Sequence, residues 1–273
     1  MQRRTTRSPY SKSLGQHRLR EAAADRIVAS TGLAPPSLVF DLGAGDGQLT
    51  AALLGRYEHI VAVELDRMTW SQLKHRFHDD SRVRPVLADM LAVELPRQSP
   101  YKVVSNVPYA MTAQLLRRLG SLPNPPQEAY LVLERDAAHK WAGIGFESQA
   151  SIILKNRFQV DVVLALRRTD FVPHPATESV VVRLRKRGRA VFVGRESAAF
   201  EGFVRRGFGG GLVKLQRELA GYPSKVVFDR ALGAAGPRSQ PHELPFDAWA
   251  AMFRAAVGNA VRRDQAREPR AKR

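Results

Sequence analysis

An apolar run, Leu38-Val39-Phe40, leads into Asp41-Leu42-Gly43-Ala44-Gly45-Asp46-Gly47-Gln48-Leu49-Thr50 and then into the helix-like Ala51-Ala52-Leu53-Leu54. This order reads as strand, glycine turn and helix, the opening unit of an open α/β sheet. The glycines let the backbone pass close to a ligand with no Cβ in the way. A dinucleotide fingerprint needs Gly at the first, third and sixth positions of the turn. Here the third Gly is Gly47, at the fifth position, and Gln48 stands at the sixth. The spacing argues against a pyrophosphate cradle and fits better a ligand with a nucleoside and an amino-acid tail.

Further strand-like runs follow, each ending in a polar residue. His59-Ile60-Val61-Ala62-Val63 ends at Glu64-Leu65-Asp66, with Glu64 lying 21 positions after Gly43. That is close to the roughly 20-residue spacing at which an acid meets ribose hydroxyls in such folds. Val83-Arg84-Pro85-Val86-Leu87-Ala88 ends at Asp89, and Tyr101-Lys102-Val103-Val104-Ser105 ends at Asn106. Ligands of open parallel sheets sit outside the carboxyl ends of the strands, so four such ends define a candidate site. Acids at strand ends are also helix N-caps, and Asp89 alone reads equally well as a cap.

Asn106-Val107-Pro108-Tyr109 carries the most specific chemistry. A carboxamide oxygen and a nearby main-chain carbonyl can accept both N–H groups of a planar amine. Proline fixes its own φ and holds the backbone in one pose. Tyr109 can stack on a heterocycle, so the stretch points to the exocyclic amine of a nucleobase. Asn and Pro are also common turn formers, and an ordinary strand-to-helix turn is the alternative.

These motifs, with Gly15-Gln16-His17-Arg18-Leu19, Ala88-Asp89-Met90 and Phe171-Val172-Pro173-His174-Pro175, resemble the ribosomal RNA adenine dimethyltransferases. That family comprises the Erm macrolide-resistance enzymes and the KsgA-type housekeeping enzymes. The resemblance runs from about residue 14 to 187 and more loosely to about 259. It implies a Rossmann-like, class I S-adenosyl-L-methionine-dependent methyltransferase domain of the α/β class, followed by a small helical domain. It also implies roles: Gly43 and Gly45 at the methionine part of the cofactor, Glu64 at the ribose, and Asp89 at the adenine amino group. Asn106 would lie near the methionine moiety and contact the target adenine, with Tyr109 stacking on one face of the flipped base. Phe171 is the candidate for the other face, with a core aromatic as the alternative. His17 and Leu19 match a segment that closes over the cofactor. The family usually has Gln-Asn-Phe where this chain has Gln16-His17-Arg18, and Asp41 replaces a usual Glu.

The charge fits a polyphosphate partner: the net charge is +17 and the pI about 10.9. Arg3, Arg4, Arg7, Lys12, Arg18 and Arg20 precede the first acid, Glu21. Arg183, Arg185, Lys186, Arg187 and Arg189 form a second cluster, and Arg262 to Arg273 a third, read as a solvated tail. The expected division is a basic arm over 1–13, a catalytic domain over 14–187, a helical RNA-binding domain over 188–260 and a basic tail over 261–273. Arg185–Arg189 reads as the linker, and the segments 197–206, 213–220, 225–231 and 245–256 as short helices. Phe208-Gly209-Gly210-Gly211 reads as a connector between the first two. There is no cysteine, the seven His show no metal-ligand spacing, and no long apolar segment or signal peptide is present. The expectation is a cytoplasmic monomer, with no membrane partner, acting on ribosomal RNA before the ribosome is fully assembled.

Within the family, Phe146-Glu147-Ser148-Gln149-Ala150-Ser151 and the short Arg-rich C-terminal domain look more Erm-like. That implies methylation of one adenine of 23S RNA, with macrolide-lincosamide-streptogramin B resistance. The alternatives are a KsgA-type 16S RNA dimethyltransferase and an RNA-binding assembly factor without activity. An NAD-dependent enzyme is disfavoured by the glycine spacing.

Overall fold

The computed structural model describes residues 17–31, 38–219 and 239–267. Among these, the chain runs β1 (Arg18–Leu19), α1 (Glu21–Ser30), β2 (Leu38–Leu42), α2 (Gln48–Leu53), β3 (His59–Glu64), α3 (Arg67–Arg76), β4 (Val83–Leu87) and β5 (Lys102–Asn106). It continues with α4 (Thr112–Ser121), β6 (Glu128–Glu134), α5 (Arg135–Ala142), α6 (Gln149–Lys155), β7 (Phe158–Leu166), β8 (Phe171–Val172), β9 (Ser179–Lys186), α7 (Gly194–Leu219) and α8 (Phe246–Arg267). Seven strands form one sheet in the order β4-β3-β2-β5-β6-β9-β7, and β1 pairs separately with β8. The strands from β4 to β6 are parallel, and β9 is antiparallel to both β6 and β7.

The central strands are β-branched and buried on both faces, as strands of a parallel sheet covered by helices must be. Val39, Leu42, Ile60, Ala62, Val63, Val103, Val104 and Leu131 are all at most 1% exposed. Chain order reverses at β2, whose neighbours are β3 on one side and β5 on the other. The crevice beyond the carboxyl ends of β2 and β5 is therefore the position where this architecture binds ligands. It is the Gly43 loop and Asn106 that emerge there.

The chain forms two compact units. One holds the described residues up to His139 together with Phe158–Arg187; the other holds Lys140–Arg157 and the described residues from Gly188 onward. The expected 14–187 span therefore loses residues 140–157. The reason lies in α6, whose Ile152 joins the aromatic core of Phe192, Phe200, Phe203, Trp249 and Phe253. Asn156 fastens the same segment to the second unit, donating to the Phe192 carbonyl at 3.1 Å and accepting the Phe192 N–H at 2.8 Å.

Three other expectations change. Arg185 and Lys186 are not linker: they complete β9, paired with both β6 and β7. The break expected over Phe208 to Gly211 narrows to one residue: α7 is two helices meeting at a kink at Gly211, with φ 76° and ψ 163°. Gly207 supplies space rather than freedom, because a Cβ there would lie 2.4 Å from the Trp249 ring. α8 extends to Arg267, well past the expected end at 256 and into the basic tail. The arm over 1–13, Gly15, Gln16 and the helix over 225–231 lie outside the described residues.

Candidate active site

The glycine loop is built for close approach. Gly43, Gly45 and Gly47 all have positive φ, at 78°, 59° and 84°. Gly43 and Ala44 both donate to the Val63 carbonyl, at 2.8 and 2.9 Å, so the turn is tied across β3. A Cβ on Gly47 would collide with Phe77 and Leu73 at 2.6 and 2.8 Å, whereas one on Gly45 would meet nothing within 4 Å. Gly47 is thus glycine for internal packing. The space above Gly45 is open.

Glu64 is 3% exposed, and backbone donors surround its carboxylate. Oε2 accepts Gly45 N–H at 2.9 Å, while Oε1 accepts those of Leu65 and Asp66 at 2.9 and 2.8 Å. The residue expected at the ribose also clips the glycine loop to the end of β3. Asp66 then caps α3, accepting Thr69 N–H at 2.9 Å.

Asp41, on β2 two residues before Gly43, is fully buried. Oδ2 accepts the Thr50 hydroxyl at 2.7 Å, but Oδ1 has no partner. Burial, reinforced by the nearby Glu64 and Asp46 carboxylates, pushes its pKa up to about 7. A buried acceptor left unpaired is costly unless a ligand or water completes it. Asp41, Gly43, Gly45 and Asn106 line one pocket, and Asp46, Gln48 and Leu49 extend it. Sequence reasoning noted Asp41 only as a departure from the family and did not single out Asp46. The acid-before-glycine spacing was the available signal.

The pocket is closed on one side by residues 17–19, which form a strap. Arg18 and Leu19 pair with Val172 and Phe171 of β8. Arg18 reaches Asp46 at 3.2 Å, so a residue counted among the RNA-facing cations is paired, half-exposed, with an acid of the glycine loop. Arg20 likewise donates to the Thr169 carbonyl at 3.0 Å. Leu19 is 6% exposed and belongs to both core and pocket lining. The His17 ring is not aimed at the glycine loop: its Nδ1 lies 2.9 Å from the Pro173 carbonyl and the ring tilts against Tyr109, centroids 5.8 Å apart.

Asn106 ends β5, and its Nδ2 donates to the His17 carbonyl at 2.8 Å. Val107 N–H continues to the Val132 carbonyl at 3.2 Å, and Pro108 holds φ −57°. Tyr109 follows half-buried, its hydroxyl 3.0 Å from Ser179 Oγ. Phe171, expected as a stacking face, is 1% exposed and packed in the main core, so it offers no free ring face here. Its strand β8 anchors the strap, and that pairing turns the ring inward. Asp89 is half-buried and accepts Leu91 N–H at 2.8 Å within a turn; no helix follows it before β5, so it is not the helix N-cap of its alternative reading. Among the described residues, the structure gathers His17, Leu19, Gly43, Gly45 and Asn106 around one pocket, with Glu64 bonded to its loop, Tyr109 beside His17 and Phe171 behind the strap.

This donor set suits a small nucleoside ligand bearing positive charge. Three carboxylates (Asp41, Asp46 and Glu64) surround a loop with open space, and one buried oxygen awaits a donor. Among the described residues no group of three or more His, Cys, Asp or Glu is placed to hold a metal ion.

The family described as ribosomal RNA adenine dimethylase matches residues 8–223. Ribosomal RNA small subunit methyltransferase A of Synechococcus sp. (strain JA-2-3B'a(2-13)) is 31% identical over 272 residues, spanning 93% of this chain and 96% of that protein. The protein of the same name from Bordetella bronchiseptica is 29% identical, over 85% of this chain and 89% of its own length. Among solved structures, that of 23S rRNA methyltransferase ErmE is similar with a TM-score of 0.77 and 25% identity, covering 88% of this chain and 99% of that one. A dimethyladenosine transferase from Plasmodium falciparum shares the fold, with a TM-score of 0.62 and 18% identity over 88% of this chain and 89% of its own.

Proposed function

Since the chain belongs to the ribosomal RNA adenine dimethylase family and is therefore a transferase that uses S-adenosyl-L-methionine, we propose that it methylates N6 of an adenine in small-subunit ribosomal RNA through Asn106. The observation that carries the reading is the carboxamide at the switch point. Its donor end is taken by the His17 carbonyl, leaving an acceptor beside the glycine-loop pocket.

When bound, the cofactor supplies a methyl group activated by positive sulfur. Everything else falls to the protein. An adenine amino nitrogen is a weak nucleophile because its lone pair is delocalised into the ring. Asn106 Oδ1 accepts one N–H of the amine and a main-chain carbonyl accepts the other, which favours a tetrahedral nitrogen. Pro108 O already accepts Met111 N–H at 2.8 Å, so Val107 O is the better-placed acceptor. Tyr109 stacks on the extruded base, offsetting an unstacking cost of a few kcal/mol. Asp41 in the pocket lining, and Glu64 bonded to the glycine loop, would hold the cofactor, with Asp89 as a further candidate contact. Positioning and fixed dipoles supply the rate, and no strong base is needed once nitrogen is alkylated.

The small-subunit assignment replaces the 23S expectation. It rests on the relatives aligned over 93% and 85% of the chain, which are named for small-subunit RNA. A 23S reading keeps one specific support, the backbone match to ErmE over nearly all of that chain. Its consequence is macrolide-lincosamide-streptogramin B resistance when the chain is expressed in a sensitive bacterium. Labelled-methyl transfer to separated small- and large-subunit RNAs, with the modified base mapped by primer extension, decides between them. Two methyl groups on one nitrogen is the outcome in line with the family description.

A further inference from the structure

Asn106 is chemically two-sided. The NH2 end of its carboxamide donates and the oxygen end accepts, so a half-turn about the last side-chain bond would set a donor against the donor amine of the substrate. That torsion is broad and two-fold, so packing alone orients it weakly. Here the Nδ2 end lies 2.8 Å from the main-chain oxygen of His17. A carbonyl oxygen can only accept, so the end facing it must be the NH2.

The strap that presents this carbonyl is tied down at several points. β1 pairs with β8, Arg20 N–H donates to the Asp170 carbonyl at 2.8 Å, and His17 Nδ1 meets the Pro173 carbonyl. Arg18 bonds Asp46, on the glycine loop itself. The strap therefore touches the cofactor pocket on one side and the carboxamide on the other.

We propose that the main-chain carbonyl of His17 is a positioning group that locks Asn106 with Oδ1 toward the methyl-accepting amine, so that strap closure over the cofactor pocket makes the adenine site competent. This rests on the methyl-transfer reading. The inference concerns the backbone, so it does not depend on the His17 side chain.

The test is a double-mutant cycle in the full chain. R18E sets a carboxylate against Asp46 and loosens the strap at its contact with the glycine loop, without touching Asn106. N106D replaces the two-ended carboxamide by a group that accepts at both ends and needs no orienting. If the carbonyl orients Asn106, R18E lowers kcat about tenfold in the wild-type background, the scale of one hydrogen bond, and less than about twofold in the N106D background. If Arg18 serves only packing or cofactor affinity, the two backgrounds lose equally, which overturns the proposal.

Side-chain NMR of protein labelled with 15N at its four asparagines gives a second readout. The Asn106 NH2 signal, identified by its loss in N106D, is expected to exchange with water at least about tenfold more slowly in wild type than in R18E. Equal exchange rates overturn the proposal even where N106D retains no measurable activity. A wild-type protein that transfers no methyl to any ribosomal RNA, yet shows the protected signal, refutes the functional reading rather than the lock.

Discussion

At the scale of single residues, the proposed function assigns Asn106 to the substrate and Asp41 to the cofactor. Removing the carboxamide as Asn106→Ala takes away the acceptor that organises the amine. The expected loss is about 100-fold or more in kcat, comparable to deleting one preorganised transition-state hydrogen bond, with cofactor affinity within about threefold. Single-turnover methyl transfer and calorimetric titration with the cofactor measure the two quantities. Asp41 gives a pH prediction. Its folded pKa is raised to about 7 by burial, above the unfolded value near 4. Between those values the folded state holds the extra proton, so this group's contribution makes stability fall as pH rises from about 4 to 7. Asp41→Asn keeps an acceptor for Thr50 and cannot ionise. The expected result is a flatter melting-temperature profile from pH 5 to 8 in the variant than in wild type. Parallel profiles contradict the assignment.

At the scale of elements, two of the loop's three glycines predict different phenotypes. Gly47→Ala forces a Cβ into Leu73 and Phe77 at positive φ and is expected to cost about 1–3 kcal/mol of stability. Gly45→Ala meets open space, so its stability cost is the backbone term of about 1 kcal/mol. Its main effect is on ligand approach, a loss of at least about tenfold in cofactor affinity, against a small one for Gly47→Ala once refolded. Chemical denaturation and calorimetry separate the two.

The same elements mark how far the sequence could be read. Four of the five parallel strands were legible because they are short, largely apolar runs ending at a glycine turn or a polar residue, and Gly43, Gly45 and Asn106 followed as their termini. The strap's contacts were not legible, because they join residues about 90 to 160 positions apart through backbone groups that no side-chain pattern encodes. Phe171 was misplaced for a similar reason: an aromatic beside prolines looks the same whether pairing with β1 turns it inward or outward. Residues 140–157 carry helical patterning that does not state which unit they pack on. Asp89 remained ambiguous because a strand-end acid serves cap and ligand with the same geometry.

At the scale of the whole molecule, the net charge of +17 sets how RNA is approached. Several of its cations are engaged within the protein: Arg18 with Asp46, Arg26 with Asp170, Arg183 with Asp161 and Arg185 with Gln159. Such surface pairs are weak and leave part of the charge available to phosphates. RNA affinity is expected to fall with salt by ~0.7–0.9 log units per log unit of salt for each phosphate neutralised. A filter-binding series from low to physiological salt gives the slope, and a flat response removes the basic clusters from the account. The second unit carries its own aromatic core, built on Phe192, Phe200, Phe203 and Trp249. No helix among the described residues is long and apolar enough to cross a membrane.

The central claim joins a cofactor pocket, an oriented carboxamide and a ribosomal adenine, and one measurement reaches all three. Wild-type protein is incubated with methyl-labelled S-adenosyl-L-methionine and separated, unmethylated small- and large-subunit RNAs, and the modified base is mapped by primer extension. The account predicts label in small-subunit RNA with arrest opposite a single adenine site, both absent with Asn106→Ala. Label that survives Asn106→Ala, or no label in either RNA from a protein that binds the cofactor, would contradict it.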